Sequence, residues 1–259
     1  MRPWNRPALR DVLTVQPVHA AWGRNEFMIP RGTPDVSWRD LLAGVGFGLP
    51  GIAREGPARA AVEAAWGAGS LACLSVRSGF DLALQALALP LGSEVIVSAI
   101  TIPDMVQIIT HHGLKPVPVD LDRATLAPPA AAVAAAITPR TRAVLVAHLF
   151  GSRADLTELA ALCVCHNLVL FEDCAQAFDG AYRGHPAAAV RMFSFGPIKT
   201  ATALGGAVLS FRDPAVRARA AAIQAGYPLQ PFGPHLRRLL LFALLKALAR
   251  PALFGVFVA

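Results

Sequence analysis

The chain has 259 residues, 54% of them hydrophobic, which is enough for one large domain with a sizeable core. Its net charge is +7. The arginines are nevertheless scattered and no aromatic-basic stripe accompanies them, which argues against a nucleic-acid partner. No run reaches the roughly 18–20 apolar residues of a membrane span.

Residues 1–57 read as an irregular N-terminal arm rich in proline and glycine. Pro30-Arg31-Gly32-Thr33-Pro34 reads as a turn-rich entry, and a short helix begins at Trp38. The polar start Met1-Arg2-Pro3-Trp4-Asn5-Arg6 leads into no apolar h-region, so no signal peptide is expected. Ala58–Trp66 has helical composition. From there short apolar runs alternate with amphipathic stretches. Strands are expected at Leu71–Val76, Val95–Val97, Val117–Val119, Ala143–Ala147, Leu168–Phe171, Met192–Phe195 and Ala207–Phe211. Helices are expected at Phe80–Leu89, Pro103–His111, Pro129–Ala136, Asp155–His166 and from Asp213-Pro214 to about Gln224. This alternation predicts an α/β fold with a mainly parallel sheet between helices. Gly226-Tyr227-Pro228 breaks the pattern, and an apolar, basic helical segment follows from His235 to Arg250, ended by Pro251.

Cys73, Cys163, Cys165 and Cys174 form no pair of Cys-x-x-Cys knuckles. They read as buried thiols in a reducing cytoplasm, with no metal. His111 and His112 read as capping or surface residues. His148 follows a strand and reads in two ways, approaching a ligand or satisfying a backbone carbonyl.

Two acid and amine positions carry the chemistry. Lys199, one of three lysines with Lys115 and Lys246, lies in Ser194-Phe195-Gly196-Pro197-Ile198-Lys199, shortly before Gly205-Gly206. Asp173 lies in Phe171-Glu172-Asp173-Cys174-Ala175-Gln176, at the carboxyl end of an apolar strand, where α/β folds bind ligands. An amine and an acid so placed suit pyridoxal phosphate. The amine forms a Schiff base, and the carboxylate keeps the pyridine nitrogen protonated. The amine must be neutral to attack, so its pKa is expected to be lowered. Ser78-Gly79-Phe80 reads as a helix opening directly after a strand, with free amides for a phosphate.

These landmarks occur together with Glu94-Val95-Ile96-Val97, Lys115-Pro116-Val117, Val119-Asp120, Ile137-Thr138-Pro139-Arg140-Thr141, His148-Leu149-Phe150-Gly151 and Gly205-Gly206-Ala207-Val208. In that order, over about Ser75 to Phe211, the chain resembles the DegT/DnrJ/EryC1/StrS aminotransferases. The resemblance implies a fold type I large domain over residues 58–225, with the small C-terminal domain largely missing and residues 226–259 in its place. It implies transfer of an amino group from an amino-acid donor, with glutamate expected, to a nucleotide-linked keto sugar. It also implies a homodimer. Lys199 and Asp173 would be catalytic, and Ser78, Gly79, Phe80, Ile102, Gln176 and Ser194 would join them around the cofactor. Gln176 would lie near the cofactor's phenolic oxygen and Ser194 at its phosphate. Phe80 stands where relatives carry threonine, and Ile102 where many carry an aromatic residue. Glu172 belongs to the motif without a catalytic role. Two other readings compete. One is a shortened, non-catalytic homologue acting as a binding or regulatory protein. The other is an interaction protein whose basic tail contacts a membrane surface peripherally.

Overall fold

The computed structural model describes residues 35–48 and 55–250. The arm before residue 35, with its expected turn at Pro30–Pro34, and the stop at Pro251 lie outside the described residues. The chain divides into two compact units, Pro34–Leu245 and a second made of Met1–Thr33 with Lys246–Ala259. Of the second, only residues 246–250 are described, a helix end that stops at Leu248 and the two residues after it.

Seven strands form one sheet: β1 Ser70–Cys73, β2 Glu94–Ser98, β3 Lys115–Val119, β4 Thr141–Ala147, β5 Val169–Asp173, β6 Val190–Ser194 and β7 Ala207–Phe211. The spatial order is β1-β7-β6-β5-β4-β2-β3. All neighbours are parallel except that β7 runs antiparallel to both β1 and β6. β2 and β7 are buried along their whole length, as strands covered on both faces must be, and both are nearly continuous apolar runs. β3 carries Pro116 and Pro118, which a strand tolerates at a sheet edge, where the missing N–H groups face outward.

The helices are α1 Trp38–Gly48, α2 Glu55–Trp66, α3 Val76–Leu87, α4 Pro103–His111, α5 Ala130–Ala136, α6 Thr157–Cys165, α7 Pro214–Ala225 and α8 Phe232–Leu248. One core joins α3, α4 and α7 to one sheet face through Phe80, Leu82, Met105, Phe171, Leu209 and Val216. A second core packs Val133, Leu159 and Cys163 of α5 and α6 against Ile96, Val144 and Leu170 on the other face. The molecule is thus a three-layer α/β/α fold, as the alternation of signals predicts. A third, smaller cluster joins Leu41 of α1 to Leu239 of α8 and to Leu204.

The start of α3 and the burial of the cysteines depart from the sequence reading. β1 stops at Cys73, and α3 starts at Val76, four residues before the expected Phe80. The cause is a reciprocal cap. Ser78 N–H donates to Ser75 Oγ at 3.1 Å, and Ser75 N–H donates to Ser78 Oγ at 3.0 Å. Among the cysteines, Cys165 is exposed and Cys73 only partly buried. Cys165 lies two residues beyond buried Cys163, about 200° around the helix, and so faces away from the sheet.

Parallel strands β1, β2, β4, β5 and β6 all deliver their carboxyl ends to one side of the sheet. That side receives Leu74–Arg77, Ala99–Ile102, His148–Phe150, Cys174–Gln176 and Phe195–Lys199.

Candidate functional site

Asp173 is the last residue of β5, paired with Ala147 of β4 and Met192 of β6. Its Oδ1 accepts from Ala175 N–H at 2.9 Å, an Asx turn that lifts the chain off the sheet. Its other oxygen has no hydrogen-bond partner among the described residues. Burial pushes its pKa up, and the Ala175 bond and the charge of Lys199 pull the other way.

Lys199 sits in the loop from β6 to β7. Phe195 O accepts from both Ala203 N–H and Gly205 N–H at 3.0 Å, so the loop closes on the end of β6. Phe195 is fixed in turn by Trp66 and Phe178, with ring centroids at 5.5 and 5.6 Å. Lys199 is half-buried. Burial lowers its pKa and Asp173 raises it, with burial the larger effect. The two expected catalytic groups therefore stand within electrostatic reach of one another. Each carries the perturbation that marks functional groups in a cleft. Ser194, the last residue of β6, is half-buried, and its Oγ accepts weakly from Gly196 N–H at 3.4 Å.

Gln176 Oε1 accepts from Phe150 N–H at 3.0 Å, which leaves its amide NH2 end as a donor. Phe150 holds a left-handed backbone, φ 55°, to make this contact. Ile102 precedes Pro103 at the start of α4 and is 47% exposed.

The expectation for Ser78-Gly79-Phe80 is corrected. These residues lie inside α3 and offer no free amides. Gly79 N–H donates to Ser75 O at 2.9 Å, and the Ser78 hydroxyl is engaged with Ser75. Phe80 is fully buried, edge-on to Phe171 at 5.2 Å. Gly79 has a packing role instead, because a Cβ there would stand 2.3 Å from a Leu209 methyl. The free N–H groups of this helix start are those of Val76 and Arg77. The cue in the sequence was Ser75-x-x-Ser78, which lacks the usual Glu or Gln at its last position. Arg77 also pairs with Asp104 at 2.7 Å.

The His148 side chain satisfies no backbone carbonyl among the described residues and makes two other hydrogen bonds. Its Nδ1 accepts from Ala154 N–H at 3.3 Å, so the proton lies on Nε2, which donates to Glu172 Oε1 at 2.8 Å. His148, Glu172 and Cys174 bring their ligand-type atoms within 4.8 Å of one another. The Nε2 proton, and burial that raises the Cys174 pKa, make this a hydrogen-bonded cluster rather than a cation cage.

The profile of the DegT/DnrJ/EryC1/StrS aminotransferase family matches residues 56–227. The chain is 41% identical over 174 residues to the erythromycin biosynthesis sensory transduction protein EryC1 of Saccharopolyspora erythraea, covering 63% of this chain and 47% of that one. It is 38% identical over 136 residues to the UDP-N-acetyl-3-dehydro-alpha-D-glucosamine 3-aminotransferase of Acidithiobacillus ferrooxidans, covering 51% and 37%. Among solved structures, DesI in the presence of its TDP-sugar product superposes with a TM-score of 0.67 at 26% identity, covering 88% of this chain and 62% of that one. The chain thus spans about half or less of the length of these two sequence relatives.

Proposed function

The chain belongs to the DegT/DnrJ/EryC1/StrS aminotransferase family, and on that premise we propose that it is a pyridoxal phosphate-dependent aminotransferase acting on a nucleotide-linked keto sugar. The donor is an amino acid, with glutamate the expected one. The nucleotide-sugar part draws on the relatives, one named for a UDP-sugar substrate and one seen with a TDP-sugar. The observation that carries the reading is the pair Asp173 and Lys199. It joins a half-buried carboxylate with one oxygen unbonded to an amine whose charge burial disfavours.

The donor set fits pyridoxal phosphate. The Asp173 carboxylate suits a protonated pyridine nitrogen, which would supply the cationic partner a buried acid needs. The free amides of Val76 and Arg77 at a helix start, with the Ser194 hydroxyl, suit the phosphate. The Gln176 amide NH2 suits the phenolic oxygen. Ile102 would cover a ring face by dispersion alone. Once bound, the cofactor supplies an electron sink for charge developing at the substrate's α-carbon.

With the cofactor bound, Lys199 would hold it through its amine and, once released, would serve as the general acid/base for the substrate's α-carbon proton. Asp173 would keep the ring nitrogen protonated. In this reading residues 58–225 form the cofactor domain, and a neighbouring copy of the chain completes the site. The four thiols are unpaired, which suits a reducing cytoplasm. Among the described residues no helix is long and apolar enough to cross a membrane.

The test is the visible spectrum of the protein with added pyridoxal phosphate, beside Lys199→Ala. A band that borohydride fixes in the parent and that the variant lacks is the expected result. Absence of the band from folded, cofactor-supplemented parent would overturn the proposal.

A further inference from the structure

Glu172 is fully buried, yet its carboxylate remains ionised. Burial pushes its pKa up, but hydrogen bonds from His148, Tyr182 and His185 N–H outweigh it and hold the value below the usual carboxylate range. Oε1 accepts from His148 Nε2 at 2.8 Å and from the Tyr182 hydroxyl at 2.6 Å, and Oε2 accepts from His185 N–H at 2.6 Å. Arg191 of β6 lies opposite Glu172 in the sheet ladder. Three donors converging on one group require an acceptor that brings no proton of its own, and only a carboxylate meets that condition. The backbone is shaped to the same end. Gly184 takes φ 80°, and a Cβ there would come within 2.8 Å of Glu172 Oε2.

The cluster ties together three segments at the carboxyl end of the sheet. His148 leaves β4, and its own N–H donates to Asp173 O at 3.0 Å. Glu172 is the neighbour of Asp173 on β5. Tyr182 and His185 belong to the loop beyond Gln176. That loop is tied a second time by Arg153, which donates to Ala177 O at 3.2 Å, pairs with Asp179 and lies 4.6 Å over the Tyr182 ring. Because side chains alternate along a strand, the Glu172 carboxylate lies on the sheet face away from the Asp173 carboxylate.

We propose that His148, Glu172 and Tyr182 are positioning residues. They lock the ends of β4 and β5 together so that the Asp173 carboxylate and the Gln176 amide reach the cofactor ring in one fixed geometry. This rests on the aminotransferase reading.

The experiment compares Glu172→Gln and Tyr182→Phe with the parent, using pyridoxal phosphate as the probe. Three quantities are read: affinity from titration of the visible band, the pH at which that band titrates, and thermal stability. A buried donor left facing another donor displaces the site by a fraction of an ångström. The expected result for Glu172→Gln is a roughly tenfold or greater loss of affinity together with a moved titration midpoint. Tyr182→Phe should shift both in the same direction by less. A merely structural role would lower stability and leave the midpoint in place. If Glu172→Gln does not fold, Tyr182→Phe decides, since it removes one hydroxyl from a half-buried ring. A parent band with both readouts unchanged in the folded variants would overturn the positioning role. A parent without a band would overturn the aminotransferase reading and the positioning role with it.

Discussion

Glu94 opens β2 with its side chain only 3% exposed, and it is a buried acid with visible partners. It accepts from the Thr138 hydroxyl and from Arg140 Nη2 at 2.9 Å, with Lys115 Nζ at 3.6 Å. The Thr138 bond, then the Arg140 bond, holds its pKa down at about 2. A depressed carboxylate stabilises the fold fully above its unfolded pKa, and that contribution fades as pH falls through the folded value. Glu94→Gln should therefore lower the urea midpoint near neutral pH and approach the parent between about pH 4 and about pH 2. A gap between the two proteins that does not narrow on acidification would contradict this. At the same scale, Lys199, Asp173, Gln176 and Ser194 could be proposed from sequence because the chemistry restricts the residue type, and the structure puts Lys199 and Asp173 within electrostatic reach of one another. The roles of His148 and Tyr182 were not. A histidine after a strand has many uses, and only the fold brings Tyr182, ten residues beyond Glu172, back onto its carboxylate.

At the scale of elements, α3 shows how a short-range signal was misread. Ser78-Gly79 looked like a helix opening because serine and glycine both favour starts and turns. The actual cap is Ser75, and Gly79 faces Leu209 of β7 from inside the helix. Gly79→Ala should cost about 1–3 kcal/mol by overpacking, in spite of alanine's better helix propensity. Chemical denaturation checks it, and a neutral or stabilising change would show that Leu209 yields freely. Glycines also set the contact of α1 with α8. A Cβ at Gly44 would stand 2.9 Å from Leu239, and one at Gly48 would stand 2.3 Å from Phe232. The start of α8 at Phe232, three residues before the expected His235, belongs to this contact. The sequence shows the apolar character of the segment, while its partner helix decides which turn is ordered.

At the scale of the molecule, the mouth of the site exposes apolar groups from three loops. Ile100 is 53% exposed, Ile102 47%, Phe150 76% and Ile198 90%. Exposed apolar residues gathered at one end of a sheet, around a proposed site, support a second copy of the chain as their cover. Light scattering at micromolar concentration should give the mass of a dimer. Phe150→Asp with Ile198→Asp should return it to a monomer, and a monomeric parent would remove the expectation. The alternation of apolar runs and amphipathic stretches determined the three-layer fold. Residue chemistry at strand ends singled out the lysine and the aspartate as candidates, because periodicity and functional-group type are local properties. Contacts between residues distant in the chain had to be seen in three dimensions. The packing of Gly79 of α3 on Leu209 of β7, the exposure of Cys165 and the three donors on Glu172 each depend on which surfaces meet. That choice is made by packing and by the satisfaction of buried polar groups, and neither is written in any single stretch of sequence.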